Sequence, residues 1–231
     1  MTETQAFRWS RLSAEAVLII SSILVAFAID AWWAERQETQ RLEATLVGIA
    51  AGLSESQAAI EQHIEGVVGG AAHLQSFLLM DPGQAGRIPA SETGDYLEPI
   101  QRPYTQDDNL TFLRFALDDE VLKELDDGAF QAALVEWREA INQLDELDRA
   151  LAAHWLEALT ALSRHEAVGR TLAGEAPSVE PHVMASVRND PVVFSLAARK
   201  SVLMNLQLRF LPELADSEEK LLRAIEAQLS R

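Results

Sequence analysis

The sequence predicts an all-α protein in which one N-terminal transmembrane helix continues into a long helix, packed in an elongated up-down helical bundle. Three observations lead there. Ala and Leu carry much of the 48% hydrophobic content while aromatics make up only 6%, and both residues lose little freedom in a helix. No run alternates Val, Ile, Thr and Tyr with polar residues as a half-buried strand requires. An uncharged stretch from Ala16 to Ile29 lies close to the N-terminus with tryptophans on both flanks.

That stretch would rise about 21 Å as a helix, short of the ~30 Å hydrocarbon core. From Leu12 to Trp33 the rise is about 33 Å, which suffices. Trp9 on one side and Trp32 and Trp33 on the other stand where interfacial aromatic belts belong. The expected organisation is therefore a short cytoplasmic tail at 1–11, a transmembrane helix at 12–33 and an extracytoplasmic helical bundle at 34–231. A cleaved signal peptide is the rival reading, with Arg8 and Arg11 as its basic region and Ala26-Phe27-Ala28 as its cleavage site. The retained anchor is expected because the helical pattern runs unbroken through Trp33.

Arg8 and Arg11 precede the span, and Arg36 and Arg41 follow it. That balance is nearly even. The short tail and the long acidic C-terminal part favour a cytoplasmic N-terminus, which in a bacterium puts the bundle in the periplasm. Glu15, Ile19, Ser22, Ala26, Asp30 and Trp33 share one face of the span. Small residues there allow close helix approach, and a second copy is one candidate neighbour. The simpler reading is that Glu15 and Asp30 reach the two aqueous boundaries.

Beyond the span the helix is expected to continue to about Leu79. Leu46, Leu53, Ile60, Val67 and Leu74 recur every seven residues and form a candidate packing seam. Leu42, Ile49 and Phe77 hold matching second positions, whereas Ser56, His63 and Gly70 leave that line imperfect. Two Gly-x-x-x-Gly pairs, Gly48/Gly52 and Gly66/Gly70, interrupt the helix; each mid-helix glycine costs about 1 kcal/mol relative to Ala.

Met80 to Asn109 carries four prolines and three glycines and reads as a long loop. Both tyrosines, Tyr96 and Tyr104, fall in it and would pin it to the bundle. Short helices are expected at Leu110–Leu117 and Glu120–Leu125, with Asp118 and Asp119 as the cap between them. A long amphipathic helix should cover Ala129 to Arg170, buried through Phe130, Leu134, Trp137, Ile141, Leu144, Leu151, Trp155 and Leu162. A second loop is expected near 172–189. Asp190 and Pro191 read as a cap and first turn. The last helix should bury Leu196, Leu203, Leu206, Phe210, Leu214, Leu221, Ile225 and Leu229, with a kink at Pro212.

The segment Ile23 to Trp33, ending Ile29-Asp30-Ala31-Trp32-Trp33 and followed by Glu35-Arg36-Gln37, resembles the N-terminal signature of an uncharacterised family of bacterial single-pass membrane proteins. Leu110 to Trp137 and Asp190 to Leu229 are similar to that family's two later helical blocks. The resemblance implies one anchor and a helical extracytoplasmic domain. It implies no activity.

A formal net charge of −17, from 36 acidic and 19 basic residues, makes nucleic acid an unsuitable partner, because phosphate contacts need Lys and Arg. The absence of cysteine excludes disulfides and thiolate chemistry. Nucleotide-loop, Gly-x-Ser-x-Gly and His-Glu-x-x-His patterns are missing. His154 and His165 lie eleven apart, outside the usual spacing of a helical metal pair, and partly exposed histidines are expected. The acidic groups at 118–120 and 126–127 lack the spacing of a calcium loop. No catalysis, metal or cofactor is expected. The expected role is a membrane-tethered scaffold that self-associates or meets an envelope protein; the alternative is a sensory or ligand-binding module acting through a partner protein.

Overall fold

The computed structural model describes residues 3–102, 109–118, 122, 125, 127–172 and 179–230, without the side chains of 3–17, 19, 109, 111 and 172. Among the described residues every regular element is helical and none is a strand. The chain divides into two compact units, Met1–Gly48 and Ile49–Arg231.

Helix α1 runs Glu3–Leu79. The part of α1 up to Gly48 belongs to the first unit. Among the described residues no helix is long and apolar enough to cross a membrane. The described side chains of the expected span begin at Leu18, and 18–33 rises only about 24 Å as a helix.

In the second unit α1 is followed by α2 (Pro82–Ala85), a 3₁₀ turn (Ala90–Glu92), α3 (Thr93–Gln101), α4 (Asn109–Leu117), α5 (Gly128–Leu162), α6 (Glu166–Leu172), α7 (Pro181–Asn189) and α8 (Pro191–Leu229). Glu136 pairs with Lys220 at 2.8 Å, and Glu157 pairs with Arg199 at 2.5 Å. Numbers rise along α5 as they fall along α8, so these two helices run antiparallel.

Much of the expected loop at 80–109 is helical. Pro82 sits in the first turn of α2, where a proline costs nothing because that N–H has no helical acceptor. Asp81 accepts from the Gln84 amide at 2.9 Å, and the Gln84 side chain accepts from the Asp81 N–H at 3.0 Å. This reciprocal cap holds the short helix. Pro99 lies inside α3 and is buried beside Leu97 and Ile100. Tyr96 meets His73 of α1 edge-on, with ring centroids 5.9 Å apart. Tyr104, Asp119 and most of the expected helix at 120–125 lie outside the described residues.

The expected loop at 172–189 is corrected in the same way, since Pro181 opens α7. Helix α7 packs on α2, and Arg188 donates to Leu78 O at 3.0 Å. The last turn of α1 has no basic residue of its own. Arg188 therefore satisfies a terminal carbonyl and opposes the helix dipole there. Its guanidinium also lies 4.4 Å from the Phe194 ring centre.

The helix expected from Ala129 to Arg170 stops at Leu162. Ser163 Oγ donates to Thr160 O at 3.0 Å, and His165 Nε2 lies 3.1 Å from Asp190 Oδ2. Such side-chain bonds compete with helical ones. Asp127 caps α5 through Ala129 N and Phe130 N. Asp190 caps α8 through Val192 N and Val193 N. Helix α8 continues through Pro212.

Two core registers differ from expectation. Trp155 is exposed, and the α5 stripe runs instead through Leu147, Leu151, His154 and Ala158. On α8 Leu203, Leu206 and Phe210 are half-buried and Leu229 is exposed, while Lys200, Met204, Gln207 and Leu211 are buried. The stripe follows the helical repeat through polar positions rather than shifting to keep leucines inside.

Candidate functional site

The anchor candidates are all on α1. Trp9 and Glu15 lie outside the described side chains. Ser22, Ala26, Asp30, Trp32 and Trp33 are exposed. The rings of Trp32 and Trp33 are 6.3 Å apart, and the Arg36 guanidinium lies 5.7 Å from the Trp32 ring centre. Leu18, Ile20, Ile23, Leu24, Val25, Phe27, Ile29, Trp32 and Trp33 are each 49–71% exposed. At 100° per residue these positions reach every side of the helix.

All the seam residues are buried: Leu46, which belongs to the first unit, and Leu53, Ile60, Val67 and Leu74, which belong to the second. Ile49, Ser56, Gly70 and Phe77 are buried between them, and His63 is half-buried.

The second unit also buries charge. Glu218 is 0% exposed. Its Oε1 accepts from Ser56 Oγ at 2.8 Å. Burial pushes its carboxyl up to about 7, against the hydrogen bond from Ser56 and the nearby Trp137 indole. Neither Trp137 Nε1 nor Glu218 Oε2 completes a hydrogen bond of normal geometry. A neutral carboxylic acid suits this surrounding better than an anion.

Lys200 is 1% exposed and donates from Nζ to Arg102 O at 2.8 Å. Burial lowers its ammonium to about 8. The Gln207 amide nitrogen reaches His63 Nε2 at 3.4 Å. Burial, then Arg102 and Lys200, hold His63 below its ordinary value. His154 is buried, against the expectation of a partly exposed histidine, with Nε2 2.8 Å from Leu196 O. A carbonyl only accepts, so Nε2 carries the proton. Nδ1 has no partner, and burial chiefly holds the ring below its ordinary value.

One cleft of about 620 Å³ opens between the C-terminal half of α5 and the first turns of α8. Leu156 and Ala161 face Val192 and Leu196 across it, with the Glu157–Arg199 pair and Arg164 at the same place. Its size falls in the range of small-molecule sites.

Ser56 is bonded to the Glu218 carboxyl, and among the described residues no three His, Asp or Glu side chains could hold a metal ion. The expected core positions do not include Lys200, Gln207 or Glu218, all of which are buried. The signal was available: Leu211, Leu214, Glu218, Leu221 and Ile225 keep a three-and-four spacing in which Glu218 takes a core place. No known protein-family pattern, curated protein or solved structure matches the chain.

Proposed function

We propose that this chain is a membrane-tethered helical scaffold of the bacterial cell envelope, with α1 anchored in the inner membrane around 12–33 and the acidic unit in the periplasm. The observation that carries the reading is the uncovered apolar surface of 18–33, which surrounds the helix. A helix apolar on all sides belongs in a core or a bilayer, and soluble monomers seldom leave so large an apolar patch in water. Lipid covers it without a protein partner. Trp32, Trp33 and the charged residues after them suit the outer boundary. The resemblance carried by Asp30-Ala31-Trp32-Trp33 points the same way. The antiparallel α5–α8 pair suits an up-down bundle, which presents its surface to a second copy or another envelope protein. The role includes no catalytic step.

The test is an alkaline carbonate wash of membranes from bacteria expressing the full chain. The protein stays in the pellet, and a Leu24→Arg, Phe27→Asp double variant moves to the supernatant, since each mid-span charge costs about 2.5–3.5 kcal/mol of insertion. Recovery of the unaltered chain in the supernatant would refute the anchor. The chain lacks cysteine, so a single Glu61→Cys variant reports orientation through an impermeant maleimide added to whole cells. Light scattering in detergent then reads self-association. The second reading, a ligand-binding module acting through a partner, is favoured by the cleft between α5 and α8.

A further inference from the structure

We infer that the cleft between α5 and α8 is a binding site for small amphipathic carboxylates, with Arg164 as the principal anion contact. The inference goes beyond the scaffold reading and does not depend on it, because the cleft lies wholly within the unit 49–231.

One side of the cleft is apolar. Leu156 is 58% exposed and Val192 43%, and together with Ala161 and Leu196 they line opposite walls of a cavity of about 620 Å³. An aryl or short alkyl group would take that surface out of water. The polar side rests on charge. The chain carries 36 acidic against 19 basic residues, and many arginines are spent on neighbours: Arg102 on Glu98, Arg114 on Asp145, Arg138 on Asp118. In the cleft Arg199 is paired with Glu157. Arg164 lines the same cavity and makes no ion pair among the described residues. The balance of Glu157, Arg164 and Arg199 is one positive charge, in a molecule otherwise strongly negative. A guanidinium presents a planar donor fork matched to a carboxylate. A cation of the same shape would meet two guanidinium groups, so the charge selects an anion.

The probe is 4-phenylbutanoate, with its amide as the neutral control. Each is titrated to about 10 mM into the full chain in zwitterionic nanodiscs, with empty nanodiscs as background. Saturable binding is read by ligand-observed NMR, and the melting temperature is read alongside. The carboxylate binds and raises the melting temperature by about 2–4 °C; the amide binds at least tenfold more weakly. Arg164→Gln weakens the carboxylate about tenfold or more and leaves the amide unchanged. Thr160 is an exposed residue of the cleft, and Thr160→Trp blocks both probes without disturbing the fold. Equal binding of acid and amide overturns the anion assignment. Absence of saturable binding, or insensitivity to both substitutions, overturns the site. Neither result bears on the carbonate wash, which tests the anchor separately.

Discussion

Ser56 Oγ donates to Glu218 Oε1 at 2.8 Å across 162 residues of sequence, and both side chains are buried. The bond ties α1 to α8 inside the second unit. It also places a carboxyl where its charge is expensive. The folded protein holds that proton up to about pH 7, against an ordinary 4.5. Between those values the folded state binds more protons than the unfolded one, so stability falls as pH rises and levels off above 7. The shift corresponds to roughly 3 kcal/mol. Glu218→Gln keeps a neutral group of the same shape. Unfolding by urea at pH 5 and pH 8 should show a smaller loss at pH 8 in the variant, which becomes the more stable protein there. A loss identical in both proteins would mean that Glu218 is ionised in the fold throughout.

Lys200 gives the opposite slope. Its ammonium is lowered to about 8 from 10.5 by burial. Between pH 8 and 10.5 the unfolded chain holds the proton that the folded chain has released, so stability rises with pH. Lys200→Met keeps the length and removes the charge. The variant should gain about 1–3 kcal/mol at pH 7, where the native ammonium is buried and charged, and lose the rise between pH 8 and 10.5. The bond to Arg102 O works against the gain. A variant clearly less stable than the native protein at pH 7 would show that this bond outweighs the desolvation.

These two residues also mark where the sequence was legible and where it was not. Leu53, Ile60, Val67 and Leu74 could be read because leucine-like residues every seven places have one economical explanation. Glu218 and Lys200 occupy equally regular core places, but Glu218-Glu219-Lys220 and Arg199-Lys200 look like solvated faces. Composition outvoted spacing. The prolines misled for a related reason. Pro82 and Pro181 fall in stretches that read as loop, whereas each opens a helix in the one turn that tolerates it. The cleft could not be read at all, since Arg164 and Arg199 line one cavity only once α5 and α8 are paired. Trp32 and Trp33 are exposed, and that exposure is what the anchor proposal uses.

The two glycines of the Gly48/Gly52 pair should respond differently to alanine. A methyl at Gly48 would meet nothing within 4 Å. Gly48→Ala should therefore stabilise by about 1 kcal/mol through helix propensity alone. At Gly52 the methyl would stand 2.9 Å from Leu113 Cδ2, whose side chain is buried in the second unit. The Leu113 tip must turn away, which offsets the propensity gain, and Gly52→Ala should be close to neutral. Thermal melts of both variants in mild detergent check the difference. Equal stabilisation would show that α4 yields freely around α1.

The buried seam and its exposed neighbour provide the last comparison. Ile60 is fully buried, while Val68 on the same helix is 52% exposed. Truncating Ile60 removes a core side chain and leaves a cavity that its neighbours only partly fill, so Ile60→Ala should cost about 2–4 kcal/mol. Val68→Ala removes surface that water already reaches and should change stability by less than about 0.5 kcal/mol. Chemical unfolding of the full chain in detergent measures both. If self-association covers Val68, that truncation becomes costly, and its cost disappears when the protein is diluted below the association range. A Val68→Ala variant that is neutral at every concentration would remove this face of α1 from any scaffold interface and direct the search to the exposed surfaces of α5 and α8.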